Sequence, residues 1–419
     1  MKELADRLLG AEPLDLESLL RHYADHLPEL LPLREQFVGS ASLLTLAQRT
    51  MDALRGSPPP APSCEAQSKP WWTPMPSAYV AALFAHVGLG SLATARRPGR
   101  ESMPPHARES AKVTRLLLKH LGVPFAVREH AVALILNYRK PENLVGAGSR
   151  PETYMRLACV LDLASLHRLR EAELEAWPGQ PPPQKREVLD EFRRRAEEAA
   201  VFGAPPRAPL ARDEIAALGH GGAEETHRAA NALRYFRLHD LPADREWCIT
   251  RLRQEAKLPR GRLNLLVGPA GSGKSSWALD HLGDTTIISS DAVRKELTGD
   301  AADQSQNYLV FQRCVDRVRS LLKDGKTVTF DATNYAERLR DAPVQAARWC
   351  AAETHAYFFD IALDAALKRN LSRQRVVPEQ VIQRHFRLLT PPALYEADRH
   401  VAVDESGQTQ CYWPIGPRQ

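Results

Sequence analysis

The residues from Gly268 to Ser275 read GPAGSGKS, a complete GxxxxGK[ST] pattern. They directly follow an apolar run at 263–267 and precede a predicted helix at about 276–282. Glycines at these positions let backbone amides close around a phosphate, and the start of the following helix favours negative charge. Because strand, loop and helix come in the order that this motif requires, the sequence predicts a nucleotide-binding phosphate loop rather than a chance glycine-rich turn.

Two residues of this loop have the chemistry that a nucleoside triphosphate requires. Lys274 can reach the β- and γ-phosphates, and the Ser275 hydroxyl can ligate Mg²⁺.

Further along the chain, three arginines, Arg369, Arg373 and Arg375, cluster around the end of a predicted helix. A lid that carries them would stabilise the charge that develops in phosphoryl transfer, and the alternative is a solvated helix face. The candidate ATP-binding residues are Gly268, Gly271, Ser272, Gly273, Lys274, Ser275, Ser276, Arg369, Arg373 and Arg375.

The fold class follows from the apolar pattern, which changes near residue 262. After this point short apolar runs alternate with helical stretches, which is typical of a parallel sheet covered on both faces. Before it, apolar residues recur at helical spacing and no strand-period segment stands out. The sequence therefore predicts an α + α/β chain. The apolar runs lie at 263–267, 285–289, 327–330 and 355–359, and the predicted parts are an all-helical domain at 1–170, a helical connector at 171–255 and a phosphate-loop domain with a parallel sheet at 256–419.

Composition excludes several classes of protein. With 43% hydrophobic and 26% charged residues and no apolar run near the roughly 18 residues of a membrane span, we expect a soluble chain with no membrane partner. The N-terminus lacks the apolar core of a signal peptide, and the six cysteines are too scattered for a zinc site or a disulfide framework, so we expect a cytoplasmic protein. The net charge of +5 is compatible with a polyanionic partner.

Polar residues at the ends of two further strands are candidates for holding the group that receives the phosphate. Asp291 is placed to accept a proton from a hydroxyl, and Arg294, one turn later, can pair with a phosphate of the acceptor. Asp331 occupies the place of a Walker B acid, where it can hold Mg²⁺ through water or orient the acceptor. Competing roles are an N-cap for Asp291 and a structural turn for Asp331. The candidate acceptor-binding residues are Arg294, Asp331 and Asn334.

The sequence also lacks the features of a hydrolysing enzyme. It contains no NKxD-type guanine code and no second acid or glutamine placed to hold an attacking water. Switches and motors that hydrolyse a nucleotide usually require such residues. The sequence therefore favours transfer of phosphate to a hydroxyl over transfer to water.

Five segments follow one another in the C-terminal half and read GPAGSGKS, SSDAVR, DQSQ, DATN and RNLSRQRVVPEQVI. Together they resemble the kinase domain of the polynucleotide 5′-kinases in bacterial end-healing enzymes. The later segment RLLTPPALYEADRHV is similar to the ending of the HD-Pnk type, in which the kinase follows an HD phosphohydrolase domain. The resemblance implies phosphorylation of 5′-hydroxyl ends of DNA or RNA in repair, with ATP as donor, Mg²⁺ as cofactor, and a ligase or other repair protein as a further partner.

The same resemblance implies roles for individual residues. Asp291 would be the general base, Lys274 and Ser275 would serve the phosphates and Mg²⁺, Arg294 would grip the acceptor phosphate, and Arg373 would be the lid arginine. The catalytic candidates are thus Asp291, Lys274 and Arg373. Two alternatives remain open. One is a kinase of small molecules or nucleosides on the same fold, and the other is an ATP-gated scaffold protein.

The helical half follows the layout of an HD domain, but its metal ligands are incomplete. The positions that depart from the pattern are Leu46-Ala47, Val87 and Asn137-Tyr138. A valine in place of a bridging carboxylate removes both charge and coordination, so we predict a degenerate HD-like domain without strong 2′,3′-phosphoesterase activity. The alternatives are retained 2′,3′-phosphatase or cyclic phosphodiesterase activity, and a residual metal site at His86, His106 and Asp162.

Overall fold

The computed structural model describes residues 2–10, 14–23, 25, 31, 33–35, 37–38, 41–57, 74–88, 106–181, 183–239, 241, 243–301, 303–373 and 375–413. The chain divides into two compact units, Met1–Pro206 and Arg207–Gln419. The segment predicted as a connector, 171–255, is shared between them, since its first part lies in the first unit and its last three helices lie in the second. None of the helices in the described ranges has the length and apolar character needed to cross a membrane.

The first unit is helical, as the sequence predicts, apart from one short antiparallel pair. Its helices are α1 (Lys2–Leu9), α2 (Leu16–Tyr23), α3 (Leu43–Gly56), α4 (Pro74–Phe84), α5 (His106–His120), α6 (Phe125–Leu136), α7 (Lys140–Gly146), α8 (Pro151–Ala158), α9 (Leu163–Ala176) and α10 (Pro183–Glu198). The pair consists of β1 (Phe37–Val38) and β2 (Ala41–Ser42). The expectation of no strands before residue 262 is wrong here, because two residues per strand leave no period-2 pattern to read.

Two helices form the centre of the first unit. Helix α6 is buried from Val127 to Ile135 and packs on α4 and α5, while α9 packs on α3, α4 and α10. Within α6, the fully buried carboxylate of Glu129 accepts hydrogen bonds from the guanidiniums of Arg115 and Arg128. Burial alone would raise the pKa of Glu129, but the two cations hold it below its usual value. The core of this unit therefore includes a fully paired charge.

The second unit begins with three helices and continues as an α/β domain. The leading helices are α11 (Arg212–Ala217), α12 (Ala223–Leu238) and α13 (Arg245–Glu255). The elements that follow are β3 (Arg262–Val267), α14 (Lys274–His281), β4 (Thr286–Ser289), α15 (Ser290–Thr298), α16 (Asn307–Lys323), β5 (Thr327–Asp331), α17 (Glu337–Trp349), β6 (Glu353–Phe359), α18 (Leu363–Leu371), α19 (Glu379–Leu388), β7 (Arg399–Val403) and β8 (Thr409–Trp413).

The strands form one six-stranded sheet in the order β4-β5-β3-β6-β7-β8. The first five are parallel, and β8 is antiparallel to β7. The four strands predicted from the sequence are confirmed, each within two residues at either end. The last two were missed, because β7 and β8 pair as a hairpin and do not continue the alternation of strand and helix that marked the others. The prediction of a helical region followed by a mainly parallel sheet is confirmed.

A buried carboxylate joins four parts of the second unit. Asp398, which is 5% exposed, precedes β7. Its oxygens accept hydrogen bonds from the Arg348 guanidinium (2.7 Å), the Asn231 amide (3.0 Å) and the backbone N–H of Thr354 (2.8 Å). These partners lie on α17, α12 and β6. Helix α12 is therefore fastened to the sheet by polar contacts, and the helices before residue 256 are part of the same folded body.

We expect Asp398→Ala to destabilise the second unit by about 3–5 kcal/mol, because it leaves the fully buried Arg348 guanidinium without its carboxylate. The measurement is urea unfolding of the full chain. Glu296→Ala is the matched control, since Glu296 also pairs with an arginine, Arg317, but both side chains are exposed. Equal unfolding midpoints for the two variants would contradict the role of Asp398.

Candidate active site

A cleft of about 1200 Å³ lies at the carboxyl ends of the central strands. Its walls include the loop from Ala270 to Ser276, the start of α15, Asp331 at the end of β5 and the turn between β7 and β8. They also include Arg369 in the last turn of α18 and residues 372–373 and 375–378 that follow this helix, which together are called the lid. In open α/β sheets, ligands bind outside the carboxyl ends of the strands. The cleft is therefore the candidate active site, and it contains most of the residues that the sequence predicted.

The loop between β3 and α14 is shaped by glycines that no other residue could replace without strain. Gly271 and Gly273 have φ of +80° and +86°, in the left-handed region. A Cβ on Gly271 would also collide with the backbone carbonyl of Ala366 in α18. At the start of the loop, the N–H of Gly268 donates to the Thr333 carbonyl (2.9 Å), which ties the loop to the segment after β5.

Lys274 is folded into the loop. Its ammonium group donates to the Gly268 carbonyl (3.1 Å), the Pro269 carbonyl (2.7 Å) and the Ser272 hydroxyl (3.2 Å). Burial, helped by the nearby Arg373, lowers the pKa of Lys274 to about 8, although the carboxylates of Asp331 and Asp291 oppose the shift. The cation is thus satisfied by the loop itself, and a phosphate group would replace these carbonyls as its partner.

The residues expected to hold Mg²⁺ are adjacent. The Ser275 hydroxyl donates to Oδ2 of Asp331 (2.6 Å), and Asp331 is 8% exposed at the end of β5. A hydroxyl and a carboxylate are hard oxygen ligands of the kind that Mg²⁺ prefers, so the pair fits this ion. When bound, Mg²⁺ would neutralise part of the charge of the phosphate groups. The competing idea that Asp331 only ends a strand does not account for this contact.

Asp291 and Arg294 lie one turn apart at the start of α15 and face the cleft. Nη1 of Arg294 donates to Oδ1 of Asp291 (2.8 Å), and the Asp291 side chain is half exposed while that of Arg294 is nearly buried. The N-cap of α15 is Ser289, whose hydroxyl accepts from the amide of Ala292. The alternative role of Asp291 as the helix cap is therefore wrong, and its carboxylate is open to a ligand.

The three lid arginines contact different parts of the cleft. Arg369 donates to the carbonyls of Ser272 (3.3 Å) and Glu405 (2.7 Å). Arg373 lines the cleft and acts electrostatically on Lys274, and Arg375 donates to Oδ1 of Asp291 (3.4 Å). The alternative of a solvated helix face does not describe them, because all three line the cleft.

Asn334 is placed differently from the other candidates. Its side chain is 1% exposed and donates to the Leu266 carbonyl of β3 (2.8 Å). It adopts φ of +46°, and it is not among the described residues that line the cleft. Its observed contacts hold the end of β3, and so it supports the phosphate loop from behind instead of facing an acceptor.

Two features of the cleft were missed by sequence reasoning. Nδ1 of His385, on α19, accepts from the amide of Ala270 (3.4 Å), and the ring stacks on Tyr335 at 4.6 Å. Burial, with Lys274 and Arg384, lowers the pKa of His385 to about 4, so it is a neutral acceptor at pH 7.

The other feature is the turn at 404–407, which lines the cleft. The carbonyl of Gly407 in this turn accepts from the Trp277 indole (3.0 Å). Neither has a local motif, since each contact joins segments more than 100 residues apart in the chain.

In the first unit, the candidate metal ligands are not assembled into one site. His86 and His106 have ring centroids 5.6 Å apart, and Nε2 of His86 is 3.2 Å from Glu173. The Asp162 carboxylate instead caps α9, where it accepts from the amide of Ser165 (2.8 Å). Across the described ranges, there is no group of three or more His, Cys, Asp or Glu side chains that could hold a metal ion. The HD-like identity of this unit stays a prediction.

We expect Gly271→Ala to weaken ATP binding roughly tenfold or more, because the added methyl group collides with Ala366 and the residue must keep a positive φ. The measurement is titration with a fluorescent ATP analogue. Gly283→Ala is the matched control, since Gly283 also has a positive φ, +53°, but no atom lies within 4 Å of its Cβ position. Unchanged affinity in Gly271→Ala would show that the loop tolerates the displacement.

We expect affinity for ATP to fall as pH rises above about 8, where Lys274 loses its proton. Bound phosphate favours the charged amine, so binding takes up a proton in this pH range. The association constant for ATP should therefore fall by up to roughly tenfold for each pH unit. The measurement is calorimetric titration from pH 7 to 9.5 without metal, in buffers of different ionisation enthalpy. Lys274→Arg, whose side chain keeps its charge, should lose this dependence, and a flat profile in the unsubstituted protein would contradict the assignment.

Comparison with known proteins agrees with this geometry. A family model described as an AAA domain matches residues 263–392, which is 130 of the 419 residues. No curated protein gives a significant match to the chain. The matched segment runs from β3 through the lid and includes the phosphate loop, Asp291 and Asp331. The second unit therefore contains a nucleotide-binding P-loop domain of the NTPase-like kinase fold.

Proposed function

We propose that the protein is an ATP-dependent polynucleotide 5′-hydroxyl kinase, which transfers the γ-phosphate of ATP in line to a 5′-hydroxyl end of DNA or RNA. The proposal combines the kinase-type P-loop domain with the acceptor side of the cleft. The observation that carries it is the Asp291–Arg294 pair, in which a half-exposed carboxylate and a nearly buried guanidinium face the same cleft as the phosphate loop.

Arg294 supports an acceptor that carries a phosphate. Its two terminal nitrogens contact Asp291, Ala301 and Asn307, but its buried Nε has no hydrogen-bond partner. The contact with the Ala301 carbonyl is long (3.4 Å) and uncharged, so a phosphate of a nucleotide chain would take its place and pair with the charge of the guanidinium. A plain nucleoside carries no such anion. The acceptor class favoured by this contact is therefore a nucleotide or polynucleotide.

The proposed reaction uses side chains that line the cleft. Asp291 accepts the proton of the 5′-hydroxyl, the freed oxygen forms a bond to the γ-phosphorus, and the bond to the bridging oxygen breaks to release ADP. Lys274 and the lid arginines Arg369 and Arg373 line the same cleft and would neutralise the charge of the transferred phosphate. Positioning and electrostatic stabilisation dominate in such transfers, so the loop and the lid supply most of the rate enhancement.

The wider biological assignment is part of the same proposal. The resemblance of the C-terminal segments to the HD-Pnk type favours a role in end healing and repair in the cytoplasm, upstream of a ligase that requires a 5′-phosphate. The first unit would then be a degenerate HD-like domain with a structural or partner-binding role. The alternative in which it keeps phosphohydrolase activity has less support, because Asp162 caps a helix and does not join His86 and His106.

The experiment is transfer of label from γ-labelled ATP, with Mg²⁺, to 5′-hydroxyl DNA and RNA oligonucleotides, a 3′-nucleotide and a plain nucleoside. We expect transfer to the oligonucleotides and a loss of about 10²–10⁴-fold in Asp291→Asn, which keeps the shape of the side chain but not its basicity. Asp316→Asn is the matched control, because Asp316 forms the same i,i+3 pair with an arginine, Arg319, on the exposed surface of α16.

The other arms of the panel identify the competing functions. Transfer to the plain nucleoside alone would replace the proposal with a small-molecule or nucleoside kinase. Binding of ATP without transfer to any acceptor, by a folded protein, would favour the ATP-gated scaffold. Equal rates in Asp291→Asn and Asp316→Asn would remove Asp291 from the role of base.

A further inference from the structure

The beginning of α16 belongs to the acceptor side of the cleft. Oδ1 of Asn307, the first residue of the helix, accepts from Nη2 of Arg294 (3.1 Å), and Arg294 in turn holds Asp291. Gln304, three residues before the helix, lines the cleft. Any acceptor that places its hydroxyl at Asp291 and a phosphate at Arg294 therefore extends toward the first turn of α16.

The first turn of α16 carries an exposed aromatic side chain. Tyr308 is 80% exposed, more than any other large hydrophobic side chain in the described ranges. Within the same ranges its ring has no stacking, hydrogen-bond or ion-pair partner. Aromatic side chains are usually buried for their large apolar area or held by a partner. An exposed ring without a partner, one residue after the Asn307 that binds Arg294, suits a surface that a ligand covers.

A second arginine, Arg375, adds positive charge at the same two oxygens that Arg294 contacts. The Arg375 guanidinium contacts both Asp291 and the Ala301 carbonyl, and its side chain is 39% exposed. Val376, which follows it, is 52% exposed. A cationic side chain beside exposed aromatic and apolar ones is the combination by which proteins bind single-stranded nucleic acid, the charge following the backbone and the ring stacking on a base.

We propose that Tyr308 stacks on a nucleobase of the acceptor strand, downstream of the nucleotide whose 5′-hydroxyl reacts. The proposal rests on the polynucleotide kinase function above. Tyr308 is not among the described residues that line the cleft, so the stacked base belongs to the second or third nucleotide. Every base has a π face, and the contact therefore selects for a chain of several nucleotides with an unpaired end, without selecting a base sequence.

The test is steady-state kinetics of the full chain with 5′-hydroxyl acceptors of one, two, three and ten nucleotides. We expect Tyr308→Ala to raise KM for the trinucleotide and the decanucleotide about tenfold, because one stacked base is lost. The kcat, the KM for ATP and the KM for the one-nucleotide acceptor should not change. Tyr308→Phe keeps the ring and should behave as the unsubstituted protein. Leu279→Ala is the matched control, because the Leu279 side chain is also exposed (70%) but lies on α14.

A second set of acceptors separates stacking from a general surface effect. Removing the bases of the second and third nucleotides should raise KM about tenfold for the unsubstituted protein and leave Tyr308→Ala unaffected, because that variant has already lost the contact. Equal KM values for Tyr308→Ala and the unsubstituted protein on long acceptors would overturn the inference, as would an equal effect on the one-nucleotide acceptor. If the unsubstituted protein phosphorylates no oligonucleotide at all, the proposed function fails first, and this inference falls with it.

Discussion

The position of β3 between β5 and β6 is the constraint on which the rest of the second unit depends. Parallel strands bring their carboxyl ends to one edge, so the loop after β3 meets the acid at the end of β5 and the lid that follows β6 and α18. The hydrogen bond from Ser275 to Asp331 is a direct result of this adjacency. The same edge also receives the turn between β7 and β8, and so segments from across the second unit meet at one cleft.

Two charged groups of the cleft, Lys274 and Asp291, are paired with other groups of the protein. Lys274 is held by loop carbonyls, and Asp291 accepts from two arginines, Arg294 and Arg375. Such pairing keeps buried or half-buried charges from being left unsatisfied. A phosphate group that binds here would therefore exchange with the carbonyls at Lys274. In the proposed reaction, groups placed in advance would need little further movement as phosphate charge develops beside them.

Much of the site could be predicted from the sequence, because its chemistry lies in contiguous segments. The loop, Asp291 with Arg294, and the three lid arginines each form a local pattern, and the structure brings all of them to one cleft. Asn334 shows the limit of this reasoning. It lies in the loop after β5, the strand that ends at the Walker B-like Asp331. Its positive φ and its hydrogen bond to a backbone carbonyl of β3 nevertheless direct its amide away from the cleft. Sequence adjacency to Asp331 carried no information about that direction.

By itself, the sequence determined the helical first part, the four strands that alternate with helices, and the phosphate loop, because each depends on the local period of apolar residues or on the conformational freedom of glycine. Only the tertiary structure decided that α12 is fastened to the sheet through Asp398 and that His385 and the turn at 404–407 complete the cleft. It also decided that Tyr308 is exposed, one residue after the Asn307 that binds Arg294. These features join residues that are distant in the chain or concern a single side chain, and a local periodic pattern in the sequence records neither.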